Sequence, residues 1–254
     1  MMLVLALALA AQGCARKQAA APLDPEDAPS AQIADPAEPW NRFWFGFNDV
    51  FFTYLGQPFS KGYKAVLPQY ARDRIENIYS NALFPVRFLN AVFQLRPDKA
   101  SRELGRFIVN SSFGLGGFLD LAASDKKLQP QSLDFGQTLG VWGADHGFYL
   151  VLPILGPSSL RDGFGMAVDA TLQPTTYVDV PYLLTAGLYG AGRVNRLPEM
   201  IDLYMEIKRS AVEPYTAVRD AYAQLRERQV RQALAGAWYA PQAGEQAPAA
   251  PAAP

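Results

Sequence analysis

Residues 41–52 read NRFWFGFNDVFF, with six aromatic rings among the ten positions from Phe43 to Phe52. Wound as a helix at about 100° per residue, Trp40, Phe43, Trp44, Phe47, Phe51 and Tyr54 fill one continuous arc with Val50 and Leu55. Phe45 and Phe52 widen the arc past Asn41 and Asn48, leaving Arg42, Asp49 and Thr53 as a narrow polar strip. The apolar arc covers more than half the circumference, whereas a soluble surface helix shows a stripe of roughly 100°. Two surroundings stabilise such a helix: the middle of its own domain, or a membrane interface with the rings among acyl chains. The interface is the preferred reading, because the segment follows a tether that begins at a candidate lipid anchor. Each ring removed from water contributes ~1.5–3 kcal/mol, enough to outweigh one or two asparagines placed near the headgroups.

The anchor lies in MMLVLALALAAQGC, residues 1–14. The apolar run Leu3–Ala11 is too short to span ~30 Å of hydrocarbon and has the length of a signal-peptide core. Ala11-Gln12-Gly13-Cys14 resembles a bacterial lipobox, in which the cysteine is acylated after cleavage just before it. The lipobox favours leucine where Ala11 stands, and the usual basic start is missing. An ordinary cleaved signal with an incidental cysteine is the alternative. Ala15 follows, where an aspartate would resemble an inner-membrane retention signal, so the outer membrane is the expected address. Each buried CH₂ of an attached chain contributes ~0.8 kcal/mol.

Composition narrows the remaining classes. The 254 residues carry a formal net charge of -1, so nucleic acid is not an expected partner. Charged residues make up 19%, below the roughly 25% of ordinary soluble domains. One cysteine excludes an intramolecular disulfide, and one histidine, His146, excludes clustered Cys/His metal sites; no metal is expected. The organisation reads as a signal peptide over 1–13, a lipidated Ala/Pro-rich tether over 14–39, one helical membrane-interface domain over 40–240, and an Ala/Pro tail over 241–254.

Within the domain, Ile75, Ile78, Tyr79 and Ala82 predict a helix stripe, ended or kinked at Pro85, with Val86, Leu89 and Phe93 continuing as a second. Asp98 predicts a cap for a helix with Ala100, Leu104, Phe107 and Ile108 inward. Ser159-x-x-Asp162 predicts a helix start followed by Leu160, Phe164, Ala167, Val168 and Thr171. Pro198 is expected to open a helix to about Val212, and Pro214 another to near Ala235, with Tyr215, Val218, Tyr222 and Leu225 as its stripe. Eleven of the twenty glycines lie between Gly105 and Gly165. The apolar stretches there are broken by Gly and Pro and do not reach the ~18 residues of a spanning helix, and irregular backbone at membrane depth needs protein or a water-filled cavity around it.

Catalytic chemistry is not expected. Ser111, Ser112, Ser158 and Ser159 lack a G-x-S-x-G elbow, and His146 beside Asp145 reads as a surface or loop residue. Gly114-Leu115-Gly116-Gly117 is neither a dinucleotide fingerprint nor a P-loop; close backbone packing or a sharp turn is preferred. Asp120, Asp134, Asp162, Asp169 and Asp179 read as caps and paired charges. The alternative is that Arg106, Asp120, Asp134, Arg161 and Asp162 line a polar passage, with Gly114, Gly116, Gly117, Gly143 and Gly147 as hinge positions.

The chain resembles the VacJ/MlaA lipoproteins. Asp35-Pro36, Glu38, Trp40-Asn41-Arg42, Phe45 and Phe47-Asn48-Asp49 match the opening signature, followed by Pro58, Gly62-Tyr63, Asn77, Asn81, Pro85, Asn90, Arg106-Phe107, Asn110 and Asp120. The most specific stretches are DFGQTLGVWG (134–143) and YLVLPILGPSSLRD (149–162), and the likeness covers about 35–235. It departs at Gly143-Ala144-Asp145-His146-Gly147, where Gly-x-Gly-x-Gly is usual, and at Gln94-Leu95-Arg96, where Gln-Gly-Lys is common. The resemblance implies a mainly α, ring-like arrangement of amphipathic helices around a Gly/Pro-rich centre, in the periplasmic leaflet of the outer membrane of a Gram-negative bacterium. It implies a conduit that removes mislocalised phospholipids from the outer leaflet, beside a trimeric porin, and hands them to a soluble periplasmic lipid-carrier protein. No cofactor is expected beyond transported phospholipid and the acyl chains on Cys14. A passive porin-docked scaffold and, more remotely, a lipid hydrolase are the alternatives.

Overall fold

The computed structural model describes residues 33–176 and 181–235; Cys14, the signal, Asp179 and the Ala/Pro tail lie outside the described residues. The fold is mainly α. It runs α1 (Glu38–Phe51), a π-turn (Phe52–Gly56), α2 (Gln57–Val66), α3 (Gln69–Ala82), α4 (Phe84–Phe93) and α5 (Pro97–Ser112). Short 3₁₀ turns at Leu121–Ser124 and Lys126–Leu128 lead to α6 (Phe135–Val141). A hairpin follows, β1 (Tyr149–Leu152) antiparallel to β2 (Gly156–Ser159) with Tyr149 opposite Ser159, and then α7 (Leu160–Thr171), α8 (Tyr182–Ser210) and α9 (Pro214–Leu234). Among the described residues no helix is long and apolar enough to cross a membrane.

Proline punctuates the helix starts. Pro39, Pro58, Pro85, Pro97 and Pro214 each sit in a first turn, where the missing N–H has no intrahelical partner to lose. The predicted break at Pro85 therefore falls earlier, at Leu83. Pro198 is a correction: it lies inside α8 and opens nothing. It is wholly buried, and the helix on either side is held by packing. The Tyr79 ring presses on Gly192, and Ile201 on Gly56, so closely that a Cβ would lie 2.1 and 2.8 Å from them. That packing offsets one lost hydrogen bond.

The folded region also begins earlier than position 40. Ile33 is buried, Ala34 bridges Phe148, and the Ala34 carbonyl accepts from the Tyr149 N–H at 2.8 Å. Ile33, Tyr149, Val151, Tyr215 and Ala223 form one apolar cluster; Phe52, Ile201 and Met205 form a second beside α8.

Some expected stripes point inward, with Tyr79, Val86, Ala100, Tyr215 and Val218 buried, and parts of others point out. On α5 the buried positions are Ala100, Glu103, Arg106 and Asn110, while Leu104 and Ile108 are exposed. Asp98 is not the cap, a position held by Arg96; it sits in the first turn, where its carboxylate receives Arg96 at 2.8 and 2.7 Å. On α7 Arg161, Asp162 and Gly165 are buried, and Leu160 and Phe164 face out. Leu225 of α9 is likewise exposed. The buried set, among the described residues, holds seventeen apolar and seventeen polar or charged side chains. Apolar residues outside are unremarkable in any protein; this many polar groups inside are not.

Candidate functional site

The ring-rich helix has two unlike faces. Trp40, Phe43, Phe47 and Tyr54 are 59, 64, 44 and 73% exposed, and Trp44 and Phe51 are half-buried. The rings tile along the helix edge to face, with Phe43–Trp44 at 5.3 Å and Trp44–Phe47 at 5.4 Å, the geometry aromatic pairs favour. A helix lost in the middle of its own domain is not what is seen. The π-turn supplies an extra residue to the turn, and within it Phe52 is buried while Tyr54 and Leu55 stay outside.

The inward face is carried by asparagines, which do not lie near headgroups as the sequence suggested. Asn41 and Asn48 are 0 and 2% exposed. Asn41 donates from Nδ2 to the Tyr149 carbonyl at 2.9 Å and to Asp35 at 2.7 Å, and accepts from the Val151 N–H at 2.9 Å. Two turns on, Asn48 donates to the Leu152 carbonyl at 2.9 Å and accepts from the Ile154 N–H at 2.7 Å. An amide carries both a donor and an acceptor, so Asn41 fills one pair of vacancies on the free edge of β1, and Asn48 fills another where β1 runs into the hairpin tip. A sheet edge left open would be a liability. Asn48 also steadies Ile154, which has φ +66° at the hairpin tip.

The five polar residues proposed to line one passage fall into two clusters. Arg106 and Asp120 line a cavity of about 170 Å³ together with Glu76, Asn81, Arg87 and Asn110. Arg106 forks onto Asp120 at 3.1 and 2.9 Å, and Asn110 donates to the same carboxylate at 2.8 Å. Arg87 pairs with the buried Glu103 at 2.7 Å and with the Ser80 carbonyl at 2.8 Å. A second cavity, of about 50 Å³, shares Glu76 and adds Asn195 and Arg196. Arg196 reaches Glu76 from Nε at 3.1 and 2.9 Å.

Asp134, Arg161 and Asp162 line neither cavity. They form a buried ion-pair network with Arg226 of α9, which sequence reasoning missed. Arg226 forks onto Asp134 at 2.8 Å twice and reaches Asp162 at 2.7 Å. Asp162 also takes Arg161 at 2.9 Å and the Tyr222 hydroxyl. Asp134 caps α6 by accepting from the Gln137 N–H, and Ser159 caps α7 by accepting from the Asp162 N–H, as predicted. Gly136 and Gly165 let α6 and α7 touch backbone to backbone, since a Cβ on Gly165 would lie 2.4 Å from the Gly136 nitrogen. These contacts account for much of the DFGQTLG and SSLRD motifs.

Burial alone would raise the Asp162 carboxyl, but the hydrogen bonds and charges of Arg226, Arg161 and Tyr222 outweigh it and hold the pKa at about 2. A depressed carboxylate pKa stabilises above the unfolded pKa of about 4 and loses that stability as pH falls toward the folded value. The wild type is therefore expected to lose ~2 kcal/mol between pH ~4 and ~2 that Asp162→Asn does not lose. Urea titrations of both proteins at pH 6, 4 and 2.5 measure the difference.

The predicted hinge glycines make turns. Gly116, Gly117, Gly143 and Gly147 have positive φ. Gly114 instead permits close approach, since a Cβ there would lie 2.3 Å from the Leu119 carbonyl oxygen. His146 lies in a loop, as expected, but is buried there and not on the surface. Burial, and then the charge of Arg161, lower its pKa, and no serine among the described residues hydrogen-bonds to it.

The profile of the MlaA lipoproteins matches residues 33–229. The chain belongs to the MlaA lipoprotein family. It is 35% identical over 194 residues to the intermembrane phospholipid transport system lipoprotein MlaA of Haemophilus influenzae, covering 75% of this chain and 76% of the relative. Against the Escherichia coli K12 lipoprotein of the same description it is 30% identical over 194 residues, with the same coverage. A solved structure reported as "Structural basis for maintenance of bacterial outer membrane lipid asymmetry" superposes with a TM-score of 0.68 at 31% identity, covering 78% of this chain and 99% of that one.

One departure from the common MlaA pattern has a visible cost. After α4, the Leu95 N–H bonds to the Val92 carbonyl and the Arg96 N–H to the Ala91 carbonyl, a Schellman ending whose left-handed position favours glycine. Leu95, standing where Gln-Gly-Lys has glycine, holds φ +53° with its side chain 58% exposed. A left-handed non-glycine residue costs roughly 1–2 kcal/mol, partly offset by the extra unfolded-state entropy of glycine. Leu95→Gly is expected to stabilise by ~1 kcal/mol, a rise in Tm of roughly 2–4 °C, read by thermal unfolding.

Proposed function

We propose that this chain is the outer-membrane lipoprotein of an intermembrane phospholipid transport system that maintains lipid asymmetry. Acyl chains on Cys14 and the outer face of α1 hold it on the periplasmic leaflet. Phospholipid headgroups move over its polar interior while the tails stay against apolar walls, and no bond is made or broken. Lipid leaves toward a periplasmic carrier protein, beside a trimeric porin, as the family resemblance implies. Phospholipid is its ligand, and no cofactor takes part.

The observation that carries this reading is the outer face of α1: Trp40, Phe43 and Phe47 are exposed, while Asn41 and Asn48 are buried and Phe45 packs inward. Facing water, contiguous rings are an aggregation hazard; facing acyl chains, they anchor. The relatives in Haemophilus influenzae and Escherichia coli are described as parts of an intermembrane phospholipid transport system, and the solved relative is described through lipid asymmetry. Both support the assignment.

The test is deletion in the native host, with surface phospholipid amines labelled by a membrane-impermeant reagent. Labelling is expected to rise several-fold and to return to the wild-type level with the restored gene, including the His146→Ala form. Unchanged labelling after deletion would leave only a passive scaffold, and failure of His146→Ala to restore would point to hydrolysis.

A further inference from the structure

The larger cavity has a charge pattern that the transport reading does not use. Arg87 and Arg106 face it from α4 and α5, and Glu76 and Asp120 face it from α3 and the turn after α5. With Glu103 behind Arg87 and Arg196 behind Glu76, and Arg106 on Asp120, the wall as a whole is neutral, three cations against three anions. Arg87 spends Nε on Glu103 and Nη1 on Ser80, and its Nη2 has no partner among the described residues. A neutral ligand bearing separated charges fits this frame; an anion would meet Glu76 and Asp120, and a cation would meet both arginines.

The size and the rim agree. Cavities of about 150 Å³ hold a benzene-sized guest, and this one measures about 170 Å³. Asn77 and Asn81, both on its wall, bond the carbonyls of Phe118 and Gly116 at 3.4 and 3.2 Å. That contact seats the 113–118 loop beside the cavity, and the loop's Phe113 and Leu115 are 73 and 74% exposed. A polar pocket flanked by bare apolar side chains suits a headgroup attached to acyl chains.

Resting on the transport reading, we infer that this cavity binds a zwitterionic phosphate–amine headgroup. The phosphate pairs with Arg87 Nη2 and the Arg106 guanidinium, whose forked geometry matches phosphate. The ammonium sits between the Glu76 and Asp120 carboxylates, which already accept from Arg196 and from Arg106 and Asn110 and offer it their remaining lone pairs. The ligand chemistry is shared by phosphatidylethanolamine and by free phosphoethanolamine, and the lipid is the proposed occupant.

The test is calorimetric titration of the full chain in detergent with dihexanoyl phosphatidylethanolamine, dihexanoyl phosphatidylglycerol and O-phosphoethanolamine. The ethanolamine lipid is expected to bind about tenfold more tightly than the glycerol lipid, as one charge-assisted contact provides. Glu76→Gln, at a half-buried position, is expected to abolish that preference without unfolding the protein. Arg87→Lys keeps the charge beside Glu103 and is expected to weaken both lipids. Equal binding of the two lipids by the wild type, or an unchanged preference in Glu76→Gln, overturns the inference whether or not Arg87→Lys folds. Binding of O-phosphoethanolamine without either lipid overturns the lipid as occupant. The transport reading is judged separately, by surface labelling after deletion: a rise with no headgroup preference leaves transport standing and this site refuted.

Discussion

Phe47→Asp, in a chain lacking the Cys14 anchor, is expected to stay folded and to float free of liposomes. Phe47 is 44% exposed and touches only neighbouring rings of its own helix, Trp44 and Phe51, among the ring contacts seen. Its removal therefore leaves the core intact. What it loses is ring burial in the monolayer, ~1.5–3 kcal/mol, with a further penalty for a carboxylate at the interface. Together these amount to a drop of ~100-fold in partitioning, at 1.4 kcal/mol per factor of ten. Phe52→Asp is the matching control. It is the same substitution five residues along, but Phe52 is 3% exposed and packs on Ile201 and Met205. An unpaired charge there exceeds ~4 kcal/mol, and the domain is expected not to fold. Flotation and thermal unfolding together separate the two outcomes. Retention of Phe47→Asp on the liposomes would remove α1 as the membrane face.

Asn41→Leu is expected to destabilise the protein by ~4 kcal/mol, although it makes the helix more uniformly apolar. The substitution strands the Val151 N–H and the Tyr149 carbonyl at a site with no solvent access, at ~1–3 kcal/mol each. Asp35 also loses a donor, though it keeps the Tyr215 hydroxyl. Against a typical stability of ~5–15 kcal/mol, that shift moves the urea midpoint by a large fraction of its value. Equal or higher stability would show that the asparagine merely interrupts an apolar arc and clamps nothing.

Much of this architecture is legible locally. Most of the helices, the start at Pro214, the Ser159 cap and the apolar arc of residues 40–55 follow from spacing and residue type, whereas α6 went unread and α8 runs through the expected start at Pro198. Motif likeness brought out the family. The sequence also placed Arg106 and Asp120 among the candidate polar residues, but grouped them with Asp134, Arg161 and Asp162, which belong to another cluster. Arg226 and Glu103 went unnoticed because a charged residue on a helix normally reads as solvated. Asn41 and Asn48 stood seven apart in an apolar face, a signal of heptad spacing that pattern reading passed over as interruptions.

What the sequence by itself determined is where most of the helices run and which of their faces are apolar. Only the tertiary structure decided which way those faces point. Periodicity reports that a face is apolar without saying whether protein, water or lipid lies against it. The direction is set by partners far along the chain: Asn41 meets Tyr149 108 residues away, and Arg226 meets Asp134 92 residues away. A buried polar group is stable only when such a partner is in place, and no local pattern encodes that meeting.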